Sequence, residues 1–578
     1  MLTDLPPVET IETDVAVIGS GGAGLMCVLH VARAAPGLRV AVVSKGIVGK
    51  SGCTRMVQGG YNAVLDPSDS FDLHFRDTLE GGAYLNDQEL AWTLVNDAPR
   101  VIRELETVVG CFFDRHPDGH IHQKPFAGQS FDRTVHRGDL TGIEIMGRLR
   151  DQLFRIEPVE LEDVRALDLV RDARGEVAGV TLLDVRTGRF ALLRARVVVV
   201  ATGGSATMYR IAAPAREKTG DGMAMCWRAG LPFRDMEMLQ FHPTGLLAGR
   251  SRLTGAVLEE GLRGAGAHLF NAAGERFMAR YDAERMERST RDVVARASYL
   301  EIMAGRGTPA GGVLIDISHL GADEVERRFP GMVERTRLIG RDLARGPVEV
   351  SPTSHFQMGG VVIDRDCGTA LPGLLVAGED AGGTHGANRL GGNGVAESTV
   401  YGARAGDRAA LLARERRVGV PERAEVAASV ERALAPRRRT EGVSPFAVTR
   451  DLKDLMWEDC GLVRTREGLL RAREGLARLA EQVERVAAPG PAAVNYAWQE
   501  ALDVANQLTV ASLIVEGALV REESRGAHFR ADFPERDDAR WLRVVVLRRD
   551  EGGGARVALR PVALSRLAPA AAVAGGEG

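Results

Sequence analysis

The chain has 578 residues with 74 Lys+Arg against 78 Asp+Glu, a net charge of −4, and 45% hydrophobic and 26% charged residues. That balance is ordinary for a globular chain of several domains, and it offers no basic footprint for nucleic acid. No uninterrupted apolar run approaches the roughly 18 residues of a membrane span; the best candidate, Leu508 to Val520, is short and carries Glu516.

Five lysines stand against 69 arginines, which reads as a coding bias, since Arg replaces Lys at most solvated sites. The acidic start (Asp4, Glu9, Glu12, Asp14) is unlike a secretory signal. The six cysteines are never closer than 26 positions. That spacing supplies no CxxC pair, iron–sulfur ligand run or haem attachment, and a reduced, cytoplasmic compartment is expected.

In chain order, Thr13 to Ile18 reads as a buried β-branched strand that runs into Gly19-Ser20-Gly21-Gly22-Ala23-Gly24. A helix from Leu25 to Ala35 and a second strand, Leu38 to Val43, follow. A GxGxxG at the first turn of a βαβ unit is a dinucleotide-binding signal. Gly19 allows the tight turn, Gly21 lets backbone approach a pyrophosphate, and Gly24 lets helix and strand pack. The second strand ends in Ser44-Lys45 rather than an acidic residue, which argues against plain NAD. Two further strands end in glycine: Ala195 to Val200 before Ala201-Thr202-Gly203-Gly204, and Leu374 to Ala377 before Gly378-Glu379. Three such strand ends, far apart in sequence, suit one large cofactor gripped by a discontinuous domain.

Between Gly245 and Val350 the sequence turns to arginine-rich helices and short strands, typical of an insertion. From Pro421 to Val486 the pattern is helical, with Leu469, Leu476, Leu479, Val483 and Val486 on one apolar face. The Ala/Gly-rich residues from Ala568 to Gly578 read as a frayed end.

These segments together resemble the succinate dehydrogenase/fumarate reductase flavoprotein family, which includes L-aspartate oxidase. The resemblance is carried by Gly19 to Gly24, Gln58-Gly59-Gly60, Thr219-Gly220-Asp221-Gly222, Gln240 to Gly245, Gly274 to Met278, Thr290-Arg291-Asp292, His355 to Gly360, Gly386 to Asn393, and Glu523 to His528. It covers about residues 12 to 542 in family order. It implies an α/β fold, with a Rossmann-like FAD-binding domain (1–245 and 351–420), an inserted α+β capping domain (246–350), a C-terminal helical domain (421–542) and a tail (543–578).

The resemblance also implies FAD as cofactor, contacted by Gly19, Gly21, Gly22, Gly24, Ser44, Lys45, Thr54, Gly59, Gly60, Asp221, Glu379 and Gly394. Read alone, Asp221 would be a helix N-cap. His242, His355, Arg389 and Arg291 offer donors and cations to both ends of a C4 dicarboxylate. In this family an arginine is the acid/base, and Arg291 matches it. Because a free guanidinium does not give up its proton near neutrality, a relay is needed, and Glu260 with Arg263 match the family's relay positions. Elsewhere those two would be an i,i+3 surface ion pair.

Three positions depart from the family. Cys53 stands where members with covalent flavin have histidine, so noncovalent FAD is expected, a Cys53 thioether being the alternative. Glu259 stands at the usual substrate-binding threonine; either it points away or the ligand brings a cation there. Gly394 replaces a serine. Phe126 stands near where L-aspartate oxidase has an ammonium-binding glutamate, which argues for a dicarboxylate without an amine.

The expected function is interconversion of succinate and fumarate, with electrons passing through a partner iron–sulfur protein that also ties the chain to a membrane anchor, so that it lies peripherally on the inner membrane face. An L-aspartate oxidase-like enzyme using oxygen or fumarate is the alternative. A non-enzymatic role, as an FAD-stabilised component kept for assembly, is a third reading, disfavoured by four convergent donors.

Overall fold

The computed structural model describes residues 5–569; the end of the Ala568–Gly578 stretch lies outside them. Its centre is a five-stranded, all-parallel sheet of Val15–Ile18 (β1), Val40–Val43 (β2), Val159–Leu161 (β3), Val197–Val200 (β4) and Leu374–Val376 (β5), in the order β5-β4-β1-β2-β3. Most of these residues are Val, Ile, Leu or Ala, and β1, β2, β4 and β5 are buried throughout, as a sheet covered on both faces requires. Helix Gly22–Ala34 (α1) follows β1, and helix Asn393–Glu415 (α2) packs along it. The approach is close. A Cβ on Gly402 would lie 2.4 Å from the carbonyl oxygen of Ala23, and one on Gly406 2.6 Å from that of Cys27.

A second, four-stranded antiparallel sheet pairs Leu239–Leu246 with Val348–Gln357, then Val313–Asp316 and His268–Phe270. It has a separate apolar core that includes Leu258, Leu262, Leu269, Val294, Ile315 and Val333. The two long strands run from the main body into this region, so they carry His242 and His355 to the seam between the two cores. Helices Arg423–Arg438, Pro445–Asp459 and Arg466–Val483 follow, with Leu469, Leu476, Leu479 and Val486 buried and Val483 packed against them.

Two segments differ from the sequence expectation. Residues 543–561, set aside as part of a tail, form a hairpin of Arg543–Arg549 and Ala555–Pro561 that extends a sheet through Phe233–Arg234. Only Val545, Val546 and Leu547 of its first strand are buried, so the arginine-rich flanks mask the alternation. Helix Tyr496–Val520 is, among the described residues, the one helix long and apolar enough to cross a bilayer by composition, with a mean hydropathy of 1.2, yet 67% of that window is buried within the protein. The uninterrupted-run criterion missed it because Glu500, Asp503 and Asn506 punctuate its apolar residues.

Gly402→Val is expected to force α1 off α2 and misplace the glycine turn that opens α1. Overpacking of this kind costs about 1–3 kcal/mol or more; a lower thermal midpoint together with a lower flavin-to-protein absorbance ratio checks it.

Candidate active site

The C-terminal ends of β1, β4 and β5 open on one cavity of about 1020 Å³, where open α/β sheets bind their ligands. Gly19, at φ 111°, makes the meeting of two of these ends possible: a Cβ there would stand 2.1 Å from the carbonyl oxygen of Ala201. Gly24 is equally constrained, at 1.9 Å from the carbonyl oxygen of Gly19. Of the residues expected to bind cofactor or substrate, or to act in catalysis, all but Gly24 and Arg263 line this cavity. Gly24 lies behind the turn, and Arg263 is fully buried behind Glu260.

At the cofactor end, the Thr54 hydroxyl accepts from the Gly22 amide at 3.0 Å, close to the start of α1, where a helix dipole favours anionic groups. The Ser20 and Ser44 hydroxyls bond at 3.1 Å. Lys45 faces Asp221 at 2.8 Å and Asp503 at 3.0 Å, and burial pulls its ammonium down to about 8. Asp221 opens helix Asp221–Arg228 without capping it, so the N-cap reading fails. Burial works to raise its carboxyl, but Arg165 and Lys45 outweigh that and hold it well below the usual range. Asn506 donates to Asp221 at 2.7 Å. Glu379 accepts from Lys218 at 2.5 Å and from the Gln357 amide at 2.9 Å.

Glycine loops with no room for a Cβ, a helix N-terminus and buried lysines opposite carboxylates form a cradle that fits FAD. The loops, Lys45 and Asp221 suit its pyrophosphate and ribose portions, and Gly59, Gly60 and Gly394 line the cavity toward the substrate residues. At Gly394 a Cβ would come within 3.0 Å of Arg389 Nη1, so the missing serine side chain leaves space that the guanidinium borders. The Cys53 sulfur accepts from the Ala215 amide at 3.3 Å, and burial pushes its thiol up.

At the other end, His242 and His355 stand with ring centroids 5.3 Å apart. Burial, then Arg291 for His242 and Arg389 for His355, pulls both imidazoles well below their usual value, so both are neutral near pH 7. His242 Nδ1 accepts from the Thr244 amide at 3.3 Å, which assigns its proton to Nε2. Arg389 donates to His355 Nε2 at 3.1 Å, and burial followed by Arg291 brings its guanidinium down to about 9.

The three residues expected to act as a relay form one buried, hydrogen-bonded chain. Arg291 opens helix Arg291–Glu301 and gives Nε and Nη2 to Glu260 Oε2 at 2.8 and 2.5 Å, with Nη1 on Gln240 at 3.2 Å. Arg263 Nη2 donates to the other Glu260 oxygen at 2.9 Å, and its Nη1 to the carbonyl of Glu287 at 2.7 Å. Burial would raise Glu260, but Arg291 and Arg263 prevail and keep it below the usual carboxylate range. This is no surface ion pair. Glu259 does not point away either: it lines the cavity, and a cation of the chain itself, Lys124, faces its Oε2 at 3.4 Å.

Residues 14–395 match the FAD binding domain family, and residues 449–573 match the fumarate reductase flavoprotein C-terminal family. The chain belongs to the succinate dehydrogenase/fumarate reductase flavoprotein family. It is an FAD-dependent oxidoreductase. This flavoprotein is 41% identical to a subunit of the CoM/CoB fumarate reductase of Methanothermobacter marburgensis, over 94% of this chain and 98% of that one. It is 35% identical to the fumarate reductase flavoprotein subunit of Escherichia coli K12, over 98% and 97% of the two chains. A structure of Escherichia coli quinol fumarate reductase superposes with a TM-score of 0.92 at 33% identity, covering 97% of this chain and 99% of that one.

Sequence reasoning missed several residues of the flavoprotein's site, namely Lys218, Gln240, Lys124, Arg165, Asp503 and Asn506. A lysine followed at once by Thr219-Gly220-Asp221 was the available signal for Lys218, and the family segment Gln240 to Gly245 was the one for Gln240; the others have none beyond their contacts. Lys218→Met leaves Glu379 buried without its bonded cation. Breaking such a pair costs about 3–5 kcal/mol, so a lower thermal midpoint and severalfold lower FAD content are expected in the purified variant.

Proposed function

We propose that this flavoprotein interconverts succinate and fumarate and works chiefly as a fumarate reductase. The observation that carries the reading is the convergence of two neutral histidines, Arg389 and the Arg291–Glu260–Arg263 chain on the cavity that holds the glycine cradle. Fumarate becomes succinate on gaining one hydride and one proton. Bound FAD supplies the hydride chemistry. Arg389 and the His242 Nε2–H bind and orient the carboxylates. Arg291 has one hydrogen left on each of Nη1 and Nη2 after its bonds to Gln240 and Glu260, and one of these is the proton delivered to the carbon opposite the hydride. Glu260, held as a carboxylate by two guanidiniums, passes a proton from Arg263 to restore Arg291. Residues 246–350 act as the cap that excludes water over this chemistry.

Electrons reach or leave the flavin through an iron–sulfur subunit, which places this chain peripherally at a membrane. Noncovalent FAD is part of the proposal, since burial disfavours the Cys53 thiolate that a thioether would require. The aspartate oxidase reading loses its main support, because Lys124 already supplies the cation facing Glu259.

Acid precipitation is expected to release FAD into the supernatant; flavin retained on the polypeptide would point to Cys53. Succinate and fumarate should perturb the flavin spectrum more than L-aspartate at equal concentration, and the reverse order would favour the oxidase. Arg291→Ala is expected to lower fumarate reduction by reduced dye at least ~10²- to 10⁴-fold, the usual worth of a general acid, with FAD content and fumarate affinity largely kept. Arg389→Ala should also weaken binding. A variant at Arg291 that keeps its turnover and only needs more substrate would remove the relay.

A further inference from the structure

One charge in the wall of the substrate half has an incomplete set of partners. Glu259 is 2% exposed and borders the cavity beside Glu260. Its Oε2 faces Lys124, while its buried Oε1 has no hydrogen-bond partner among the described residues. Gly261 leaves that oxygen its room, since a Cβ there would stand 2.8 Å away. A buried polar atom left unpaired in the wall of a binding cavity calls for a partner that arrives with the ligand.

The surrounding charges decide what that partner is. Asp139, also buried with Oδ2 unpartnered, faces Glu259 from the turn before helix Thr141–Ile156. Glu260 adjoins it and is committed to Arg291 and Arg263. Lys124 is the opposing cation and also donates to the Gly138 carbonyl at 3.2 Å. Arg335, from helix Pro330–Arg337, acts on Asp139 and donates to the Val257 carbonyl at 2.7 Å. Burial first, then Asp139 and Glu260, push Glu259 above the usual carboxylate range despite Lys124. An incoming dicarboxylate adds negative charge and pushes it further.

We propose that Glu259 works as a neutral carboxylic acid that donates its hydrogen to a carboxylate oxygen of the bound dicarboxylate, at the place where the family has a threonine hydroxyl. The inference rests on the dicarboxylate reading of the site. Above the pH at which free Glu259 ionises, each dicarboxylate that binds takes one proton from solvent and returns it on leaving; no electrons move. Affinity then falls roughly tenfold per pH unit on that alkaline limb. His242 and His355 add nothing to the slope near neutrality, because both are already neutral in the free site.

The holoprotein is titrated with fumarate between about pH 6 and about pH 8, below the range near 9 in which Arg389 gives up its own proton, read by the flavin spectrum and by calorimetry in buffers of different ionisation enthalpy. Expected are a dissociation constant that rises with pH and uptake of up to one proton. Glu259→Gln, a donor that cannot ionise, should show no uptake and a flat affinity near that of the acidic limb. Lys124→Met should move the break to higher pH, because the cation that favours the ionised form is gone. Flat wild-type binding without proton uptake, or an unchanged slope in Glu259→Gln, overturns the proposal while leaving the dicarboxylate reading intact. Absence of any spectral response to fumarate at every pH overturns both.

Discussion

Where residue 19 would carry a side chain, the carbonyl oxygen of Ala201 already stands. That single close approach lets the ends of β1 and β4 meet, and the cavity forms over their junction. The parallel sheet fixes the direction of every strand, so all three glycine-bearing ends face the same side. Packing of α1 on α2 through Gly402 and Gly406 then locks the turn from behind. The glycine cradle is therefore positioned by main-chain contacts, while the other half of the cavity rests on side-chain bonds among Arg291, Gln240, Glu260, Arg263, Arg389 and His355.

The cavity built on that frame is a problem in charge burial. Lys45, Lys218, Arg291 and Arg389 line it together with Asp221, Glu379, Glu259 and Glu260. Isolated buried charges are costly, so nearly every one is held by a partner of opposite sign. The arrangement is polarised: Glu260 lies between two guanidiniums, whereas Arg389 has a histidine and a main-chain carbonyl rather than a carboxylate as its hydrogen-bond partners. Cationic charge is left available at Arg389, and the imidazoles stay neutral first because they are buried and then because the arginines beside them repel a further positive charge.

The sequence showed the parts whose signal is local. The βαβ unit with its glycines, the helical face around Leu469 and Leu476, and the grouping of Arg291 with Glu260 and Arg263 were legible because short motifs or family segments carry them. What was not legible depends on contacts between distant segments. Lys45 and Asp503 bond across 458 positions, and Lys124 meets Glu259 across 135; no local pattern announces either pair. The departure at Glu259 was visible, but its resolution needed the lysine. The hairpin at residues 543–561 was hidden by its charged flanks, and helix Tyr496–Val520 by the polar residues that turn out to serve the cavity.

That last helix ties the cofactor to the order in which the chain is made. Asp503 bonds Lys45 and Thr219, Asn506 bonds Asp221, and Gln507 bonds Thr207, so the cradle begun at residue 19 is closed by residues some five hundred positions later. The central sheet is itself complete only once Leu374–Val376 has emerged, and at about 5–20 residues per second the closing helix follows some seconds to tens of seconds later. The same helix thus completes the cradle with its polar residues and buries its apolar ones within the protein.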